Sequence, residues 1–445
     1  MRNSFCRREF LRRAALTAAG LWAAPYITSG LRAASPNEML QHASFGTSGM
    51  ARSDIQGITR GGRARLVAVA DVDLNKARAL KQDFPDVRIY QDWRELLDKE
   101  KSIDSVNVTV PDHMHAPMAM AALQLGKHVY CQKPLAHDIY EARRLTEFAR
   151  KQKLVTQMGI PILSSGTYRE AVRIIQDGTI GKIKEVHTWS NKAWGDPSSR
   201  PDRSDPVPAD FNWDSWLGTA ATRPFIGDGY YHPSNWRKRL DFGTGTFGDM
   251  GCHIYDPVFK ALDLTAPISL RSDGPAPNQW NWAINARIEY VFPGTQYTEG
   301  TTIKVTWYDG NERPPKEVQP DLGDDKLPDQ GSLFIGTKGV MMLPHIARAQ
   351  LFPEKDFENW TRPKVTENDH WQQFVDACRG IGQTSANFDY AGPLTETVLL
   401  GSLATRFPQT TLEWNAKKLK FANVSQANHF VRRRYRKGWE AKGLS

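Results

Sequence analysis

Residues 44–54 read SFGTSGMARSD, and the fold turns on how this stretch is taken. A dinucleotide fingerprint is G-x-G-x-x-G or G-x-G-x-x-A, set between a buried strand and a helix. Gly46 fills the first place and Ala51 the last. Ser48 stands where the second glycine belongs, the one that lets the backbone approach a pyrophosphate. The preceding residues, Met39 to Phe45, include Gln41, His42 and Ser44 and read as too polar for a buried parallel strand. Taken alone, the loop either holds a nucleotide or is the relic of one that did. A single imperfect glycine loop is weak evidence.

The chain downstream is more definite. Leu66 to Ala70 (LVAVA) is a continuous apolar run, as a buried parallel strand demands. Residues 74–84 read as helix, Val87 to Tyr90 as extended and 92–100 as helix. Ser105 to Val110 is a β-branched strand ended by Pro111, 116–125 an alanine-rich helix stopped by Gly126, and His128 to Cys131 the next strand. This alternation predicts an α/β domain with a doubly wound parallel sheet over 35–160. Asp71 then ends the second strand. An acidic residue about 20 positions beyond the glycines binds the ribose hydroxyls and repels the extra phosphate of NADP. Val72 follows it rather than an arginine, so the expected cofactor is NAD, held over Gly46, Ser48, Gly49 and Met50. The Ser48 hydroxyl can itself donate to phosphate. A strand-ending Asp71 also fits a simple cap on the next turn.

After residue 160 the pattern changes. Residues 213–239 form a loop-rich stretch dense in Trp, Tyr and Pro. Residues 285–292 and 301–307 alternate with period 2, 331–343 read as a hairpin, and 368–380 and 392–405 as helices. These predict an α+β domain over 161–420 whose largely antiparallel sheet has one solvated or ligand-facing side.

Of the nine net positive charges, five lie in residues 1–34, so the remainder is too mild to argue for nucleic acid. Arg7-Arg8 followed by the weakly apolar run Ala14 to Ala24 reads as a twin-arginine (Tat) export signal over 1–34, too short to span a membrane. The expected mature protein is periplasmic or otherwise exported, with no membrane segment. Cys6, Cys131, Cys252 and Cys378 have neither disulfide-framework nor metal spacing. The basic cluster Arg432 to Lys437 in the tail, 421–445, reads as solvated, as docked on a domain, or as a patch for an anionic partner.

Two stretches carry candidate chemistry. VYCQKPL (129–135) runs a strand into a Lys-Pro corner, and ligands in such sheets bind beyond the carboxyl ends of strands. Lys133 would there face the cofactor cleft and stabilise alkoxide character, unless it is a solvated loop lysine. In GDMGCHIYD (248–256), Asp249 and His253 are four apart and share a helix face. A carboxylate orienting an imidazole suits a general base; the same spacing fits a buried Asp–His core pair. No second cluster supports a metal.

The strings PDHMHAPMAMAALQLGKHVYCQKPLAH (111–137), YHPSNWRKRLDFGTGTFGDMGCHIYDPVFKAL (231–262) and NFDYAGPLTETVLLG (387–401) resemble the glucose–fructose oxidoreductase / inositol dehydrogenase (Gfo/Idh/MocA) family, in its exported, Tat-signalled members. The resemblance implies a Rossmann domain followed by an open-faced sheet domain that carries the substrate. It implies Lys133 and His253 as catalytic groups, with Asp249 the partner of the histidine or a substrate ligand. It places Pro111 and His115 on the loop lining the cofactor, and Gln132 where the family has a glutamate near the nicotinamide ribose. It sets Tyr231, His232, Trp236 and Arg237 toward a sugar, and it implies a homo-oligomer. The activity so implied is NAD-dependent oxidation of a sugar, glycoside or polyol hydroxyl. A redox-neutral glycosidase cycle on the same bound NAD is the alternative, and a sugar-binding protein without catalysis on the same fold is a third.

Overall fold

The computed structural model describes residues 39–323 and 326–445; the export signal expected over 1–34 lies outside them. The first sheet has six parallel strands: β1 (Leu40–Phe45), β2 (Ala64–Ala70), β3 (Arg88–Tyr90), β4 (Ser105–Val108), β5 (His128–Gln132) and β6 (Thr156–Gly159). Their order is β3-β2-β1-β4-β5-β6. This is the dinucleotide-binding order, whose crevice opens between β1 and β4 where the winding reverses. Helices α1 (Met50–Thr59), α2 (Leu74–Ala79), α3 (Trp93–Lys99), α4 (His115–Gln124) and α5 (Ile139–Gln152) alternate with the strands.

The expectation that residues 39–45 are too polar for a buried strand is corrected. They form β1, paired on both sides in mid-sheet, with His42 and Ser44 fully buried. Polar side chains survive there because each has a partner. His42 Nε2 lies 2.9 Å from Asn107 Oδ1 and Nδ1 2.8 Å from Ser105 Oγ, both on β4. Ser44 donates to the Gly46 carbonyl at 2.7 Å. The row continues from Asn107 Nδ2 to Thr109 Oγ1, and from that hydroxyl to Asp54 Oδ2.

The second sheet has nine strands, in the order β13-β12-β11-β7-β10-β9-β8-β14-β15. They are β7 (Ile183–Ser190), β8 (Ser269–Ser272), β9 (Arg287–Pro293), β10 (Thr302–Asp309), β11 (Gln330–Gly336), β12 (Val340–Pro344), β13 (Gln350–Phe352), β14 (Thr411–Asn415) and β15 (Lys420–Phe421). Pairing is antiparallel except between β7 and β10. Beside it lie α6 (Gly166–Gln176), α7 (Trp213–Leu217), α8 (Gly245–Ala261), α9 (His370–Cys378) and α10 (Phe388–Ala404). On β9 the alternating Ile288, Tyr290 and Phe292 are buried, and Tyr290 and Trp307 meet Phe247 of α8. That contact seats α8, which carries Asp249 and His253, against the sheet.

Two late segments return to the first sheet. Trp371 of α9 packs over Gly57 of α1, where a Cβ would come within 2.5 Å of the indole, and donates from Nε1 to Asp54 at 2.9 Å. In the basic tail, Arg433 binds Glu141 and Asp138 at the start of α5 and the His113 carbonyl. Arg436 binds Asp214 and the Gly218 carbonyl. These two arginines of the basic cluster are docked on the domains.

Candidate active site

Along the carboxyl ends of the first sheet's strands lies a cavity of about 770 Å³, closed from the other side by residues of α8 and the 190s and 230s loops. At one end is the glycine loop. Gly46 has φ +97°, and a Cβ there would lie 2.2 Å from the Thr109 carbonyl oxygen. Only glycine fits between the end of β1 and the neighbouring chain. Gly49 (φ +57°) leads into α1 with no side-chain cap; the Ala51 and Arg52 amides bond back to the Ser48 and Gly49 carbonyls, which leaves the Met50 amide and the loop before it for an anion. Ala51, in the third fingerprint place, is fully buried, whereas Ser48 is exposed at the cavity rim.

Asp71 stands at the end of β2 on the cavity wall. Its Oδ2 accepts from the Thr47 amide (3.0 Å) and hydroxyl (2.6 Å), and its Oδ1 from the Asp73 amide. Burial pushes its carboxyl up. Through the Asp73 amide it also caps the next turn, and Asp73 in turn caps α2. Asp71 therefore holds Thr47 and the glycine loop while facing the cavity.

Gln132 ends β5 and donates from Nε2 to Asp54 Oδ2 at 2.9 Å. A glutamate at 132 would set a second carboxylate against a buried one. The amide in its place supplies the donor Asp54 needs, alongside Trp371 and Thr109.

Next along the cavity, Lys133 Nζ donates to both the carbonyl and the carboxylate Oδ1 of Asp249, each at 2.7 Å. Asp249 also accepts from Trp194 Nε1 (2.7 Å) and Arg237 Nε (3.2 Å), and Lys192 Nζ stands 3.8 Å away. Lys133, Arg237 and Lys192 outweigh burial and hold its carboxyl far below the usual range. This corrects one expectation. Asp249 does share a helix face with His253, but three cations take its charge and it does not orient the imidazole.

His253 Nδ1 is buried without a partner. Its Nε2 makes no hydrogen bond among the described residues, and the ring lines the cavity 5.9 Å from the ring of His345. Burial, then Lys133 and His345, push its pKa well below 6.5, so it is a neutral imidazole. Burial likewise lowers His345 to about 4; its Nδ1 meets the Tyr168 hydroxyl at 2.7 Å. Asp112 accepts from Thr244 Oγ1 at 2.7 Å and is pushed up to about 7 by burial.

Pro111 and His115 line the cavity, but both ring nitrogens of His115 lie against backbone carbonyls, those of Pro134 and Val110. Its role is to tie this loop to the Lys-Pro corner. Of the four residues expected to face a sugar, His232, Trp236 and Arg237 line the cavity. Tyr231 does not. It is 1% exposed inside a separate aromatic cluster with Trp216, Trp236 and Phe242, because the 211–242 stretch supplies its own small core. Lys192, Trp194 and His345 also line it and carry no signal in the sequence: they follow strands of the second sheet, for which no strand-end rule exists. Among the described residues no group of three His, Cys, Asp or Glu could hold a metal. No helix among them is long and apolar enough to cross a membrane.

Residues 41–160 match the oxidoreductase family's NAD-binding Rossmann fold, and 174–319 its C-terminal alpha/beta domain, more than half of the chain together. The chain belongs to the Gfo/Idh/MocA oxidoreductase family. This Gfo/Idh/MocA protein is 24% identical to levoglucosan dehydrogenase of Pseudarthrobacter phenanthrenivorans over 43% of its own length and 40% of that chain. It is 32% identical to inositol 2-dehydrogenase of Salmonella typhimurium over 27% of its length and 37% of that chain. The aligned part thus spans about two fifths of these relatives. Its fold matches the WlbA dehydrogenase of Bordetella pertussis, solved with NADH and UDP-GlcNAcA, at TM-score 0.61 and 14% identity over 85% of this chain and 98% of that one. GenD2 from gentamicin A biosynthesis, solved with NAD, matches at 0.58 and 17% identity over 88% and 100%. The glycine loop, the Gly46 cradle and Asp71 fit the NAD that this family's first domain binds.

Proposed function

We propose that this protein is an NAD-dependent oxidoreductase acting on a secondary hydroxyl of a sugar, glycoside or polyol. One observation carries the reading: Asp249 holds Lys133 Nζ at the carboxyl end of β5, and the unspent imidazole of His253 lines the same cavity. The levoglucosan and inositol dehydrogenases among the relatives favour the same substrate class. NAD, when bound, supplies the hydride acceptor. Lys133 stands beside the substrate oxygen and stabilises its alkoxide character. His253, neutral through burial, accepts the hydroxyl proton at Nε2. Trp194, half-buried on the cavity wall, offers its ring for stacking on a pyranose. The test is single-turnover reduction of bound nicotinamide, followed by absorbance, with a panel of sugars, glycosides and polyols. No reduction by any member would overturn the reading.

Asp71 sets the nucleotide choice. A 2′-phosphate would meet its carboxylate in a partly buried site, a like-charge opposition worth several kcal/mol. NAD is expected to titrate at least a hundredfold tighter than NADP, a gap that Asp71→Ala narrows. Equal affinities in the wild type would place Asp71 away from the ribose.

We also propose export through the Arg7-Arg8 pair. The double change Arg7→Lys with Arg8→Lys is expected to retain the precursor in the cytoplasm. Cell fractionation checks this, and unchanged export of the double variant would remove the proposal. An exported NAD enzyme must keep and recycle its cofactor in place.

A further inference from the structure

The charges at the reaction end of the cavity do not balance. Lys133, Lys192 and Arg237 converge on one carboxylate, Asp249. The other ionisable groups there do not make up the difference: His253 and His345 are neutral, and Asp112, pushed up to about 7 by burial and turned to Thr244, offsets only part of one charge. Lys133 commits two of its three donors to Asp249, which leaves the third for the reacting oxygen. Lys192 reaches no closer than 3.8 Å to Asp249 and makes no side-chain hydrogen bond among the described residues. Arg237 gives Asp249 only its Nε; neither Nη donates to any described residue. That guanidinium lies 4.2 Å over the Trp236 ring and 5.5 Å from that of Trp194. A guanidinium edge with both Nη nitrogens unspent, beside an unspent ammonium, is suited to receive an oxyanion.

The phosphates of NAD are not its occupants. They belong over Ser48 to Met50, at the start of α1 beyond β1. Lys192 and Arg237 surround the residue that grips Lys133 at the end of β5, two strand spacings away, about 10 Å.

We propose that the substrate is an anionic sugar whose carboxylate or phosphate is held by Lys192 and the Nη edge of Arg237. This inference rests on the reading above, that a sugar is oxidised at this site. It adds that neutral sugars are the poorer substrates.

The test compares methyl uronosides of the gluco, galacto and manno series with their uncharged methyl esters, the parent methyl glycosides and the corresponding 6-phosphates. Each is tried on NAD-loaded wild type. At least one charged compound is expected to show kcat/KM about tenfold to a hundredfold above its uncharged counterparts, the worth of one charge-assisted contact. Added salt should erode that preference but not the rates with esters. The uronoside and phosphate arms identify which anion is meant. Lys192→Gln is expected to remove about tenfold of the preference and Lys192→Arg to restore most of it. Equal or better rates with the uncharged compounds in every series would overturn the proposal, as would an unaltered preference in folded Lys192→Gln protein. The wild-type comparison needs no variant to fold. Calorimetry separates the two readings. Charge-selective binding without nicotinamide reduction would keep the anion site and sink the oxidoreductase reading; reduction without charge preference would do the reverse.

Discussion

Gly46→Ala protein is expected to purify without NAD and to unfold at a clearly lower urea concentration. The added methyl group would sit 2.2 Å from the carbonyl oxygen of Thr109, a backbone atom that cannot rotate away. The residue must also keep φ near +97°, which alanine adopts only under strain. Strain and clash together cost on the order of 3 kcal/mol. Relief requires the end of β1 to part from the chain after β4, which is where the crevice opens. Ser48→Gly is the control. Ser48 is exposed and its change should stay within about 1 kcal/mol, with NAD kept. Nucleotide in the supernatant of denatured protein, together with the urea midpoint, gives the answer. Stoichiometric NAD and an unchanged midpoint in Gly46→Ala would refute this account of the loop.

His253→Ala is expected to slow single-turnover nicotinamide reduction by roughly a hundredfold to ten-thousandfold, the usual worth of a positioned acid–base group. NAD should remain bound, because His253 lies on α8 rather than in the first sheet's domain. Lys133→Met should cost about a hundredfold or more by removing the charge beside the developing alkoxide. Asp249 would still keep Trp194, Arg237 and Lys192, so that variant should fold. Since Asp249 grips Lys133 and not His253, Asp249→Asn should follow the lysine variant. The double variant Lys133→Met/Asp249→Asn should add little beyond Lys133→Met alone. The acid limb of the pH profile offers a further check. His253 is held below 6.5, so its proton-accepting form persists as pH falls through 6.5. An exposed imidazole would already be losing it there. A folded, NAD-loaded His253→Ala protein as fast as wild type would remove the histidine from the reaction.

The parts of the molecule legible in its sequence are those set by local rules. Leu66 to Ala70 is apolar because both sheet faces are covered, and Lys133 was placed by the strand that ends just before it. β1 was not legible. Its buried His42 and Ser44 are tolerable only because Ser105 and Asn107 stand across on β4, more than sixty residues on. The helical spacing of Asp249 and His253 was sound, but the choice of partner was not local. A lysine 116 residues earlier reaches the carboxylate at 2.7 Å, and a cation outcompetes a neutral ring. Tyr231 and Arg237 lie in one aromatic-rich stretch, and composition does not tell which side chain turns inward. Neither does it show that Lys192 and Trp194, just past β7, arrive at the same carboxylate.

The docking of Trp371 and Arg433 onto the first sheet has a consequence for biosynthesis. Translation delivers β1 to β6 early, yet the indole that completes the Asp54 cluster and the guanidinium that clamps α5 are made hundreds of residues later. The dinucleotide half is therefore finished last, although it is begun first. A nascent chain stalled after residue 160 holds a buried carboxylate short of one donor and a helix short of its cover.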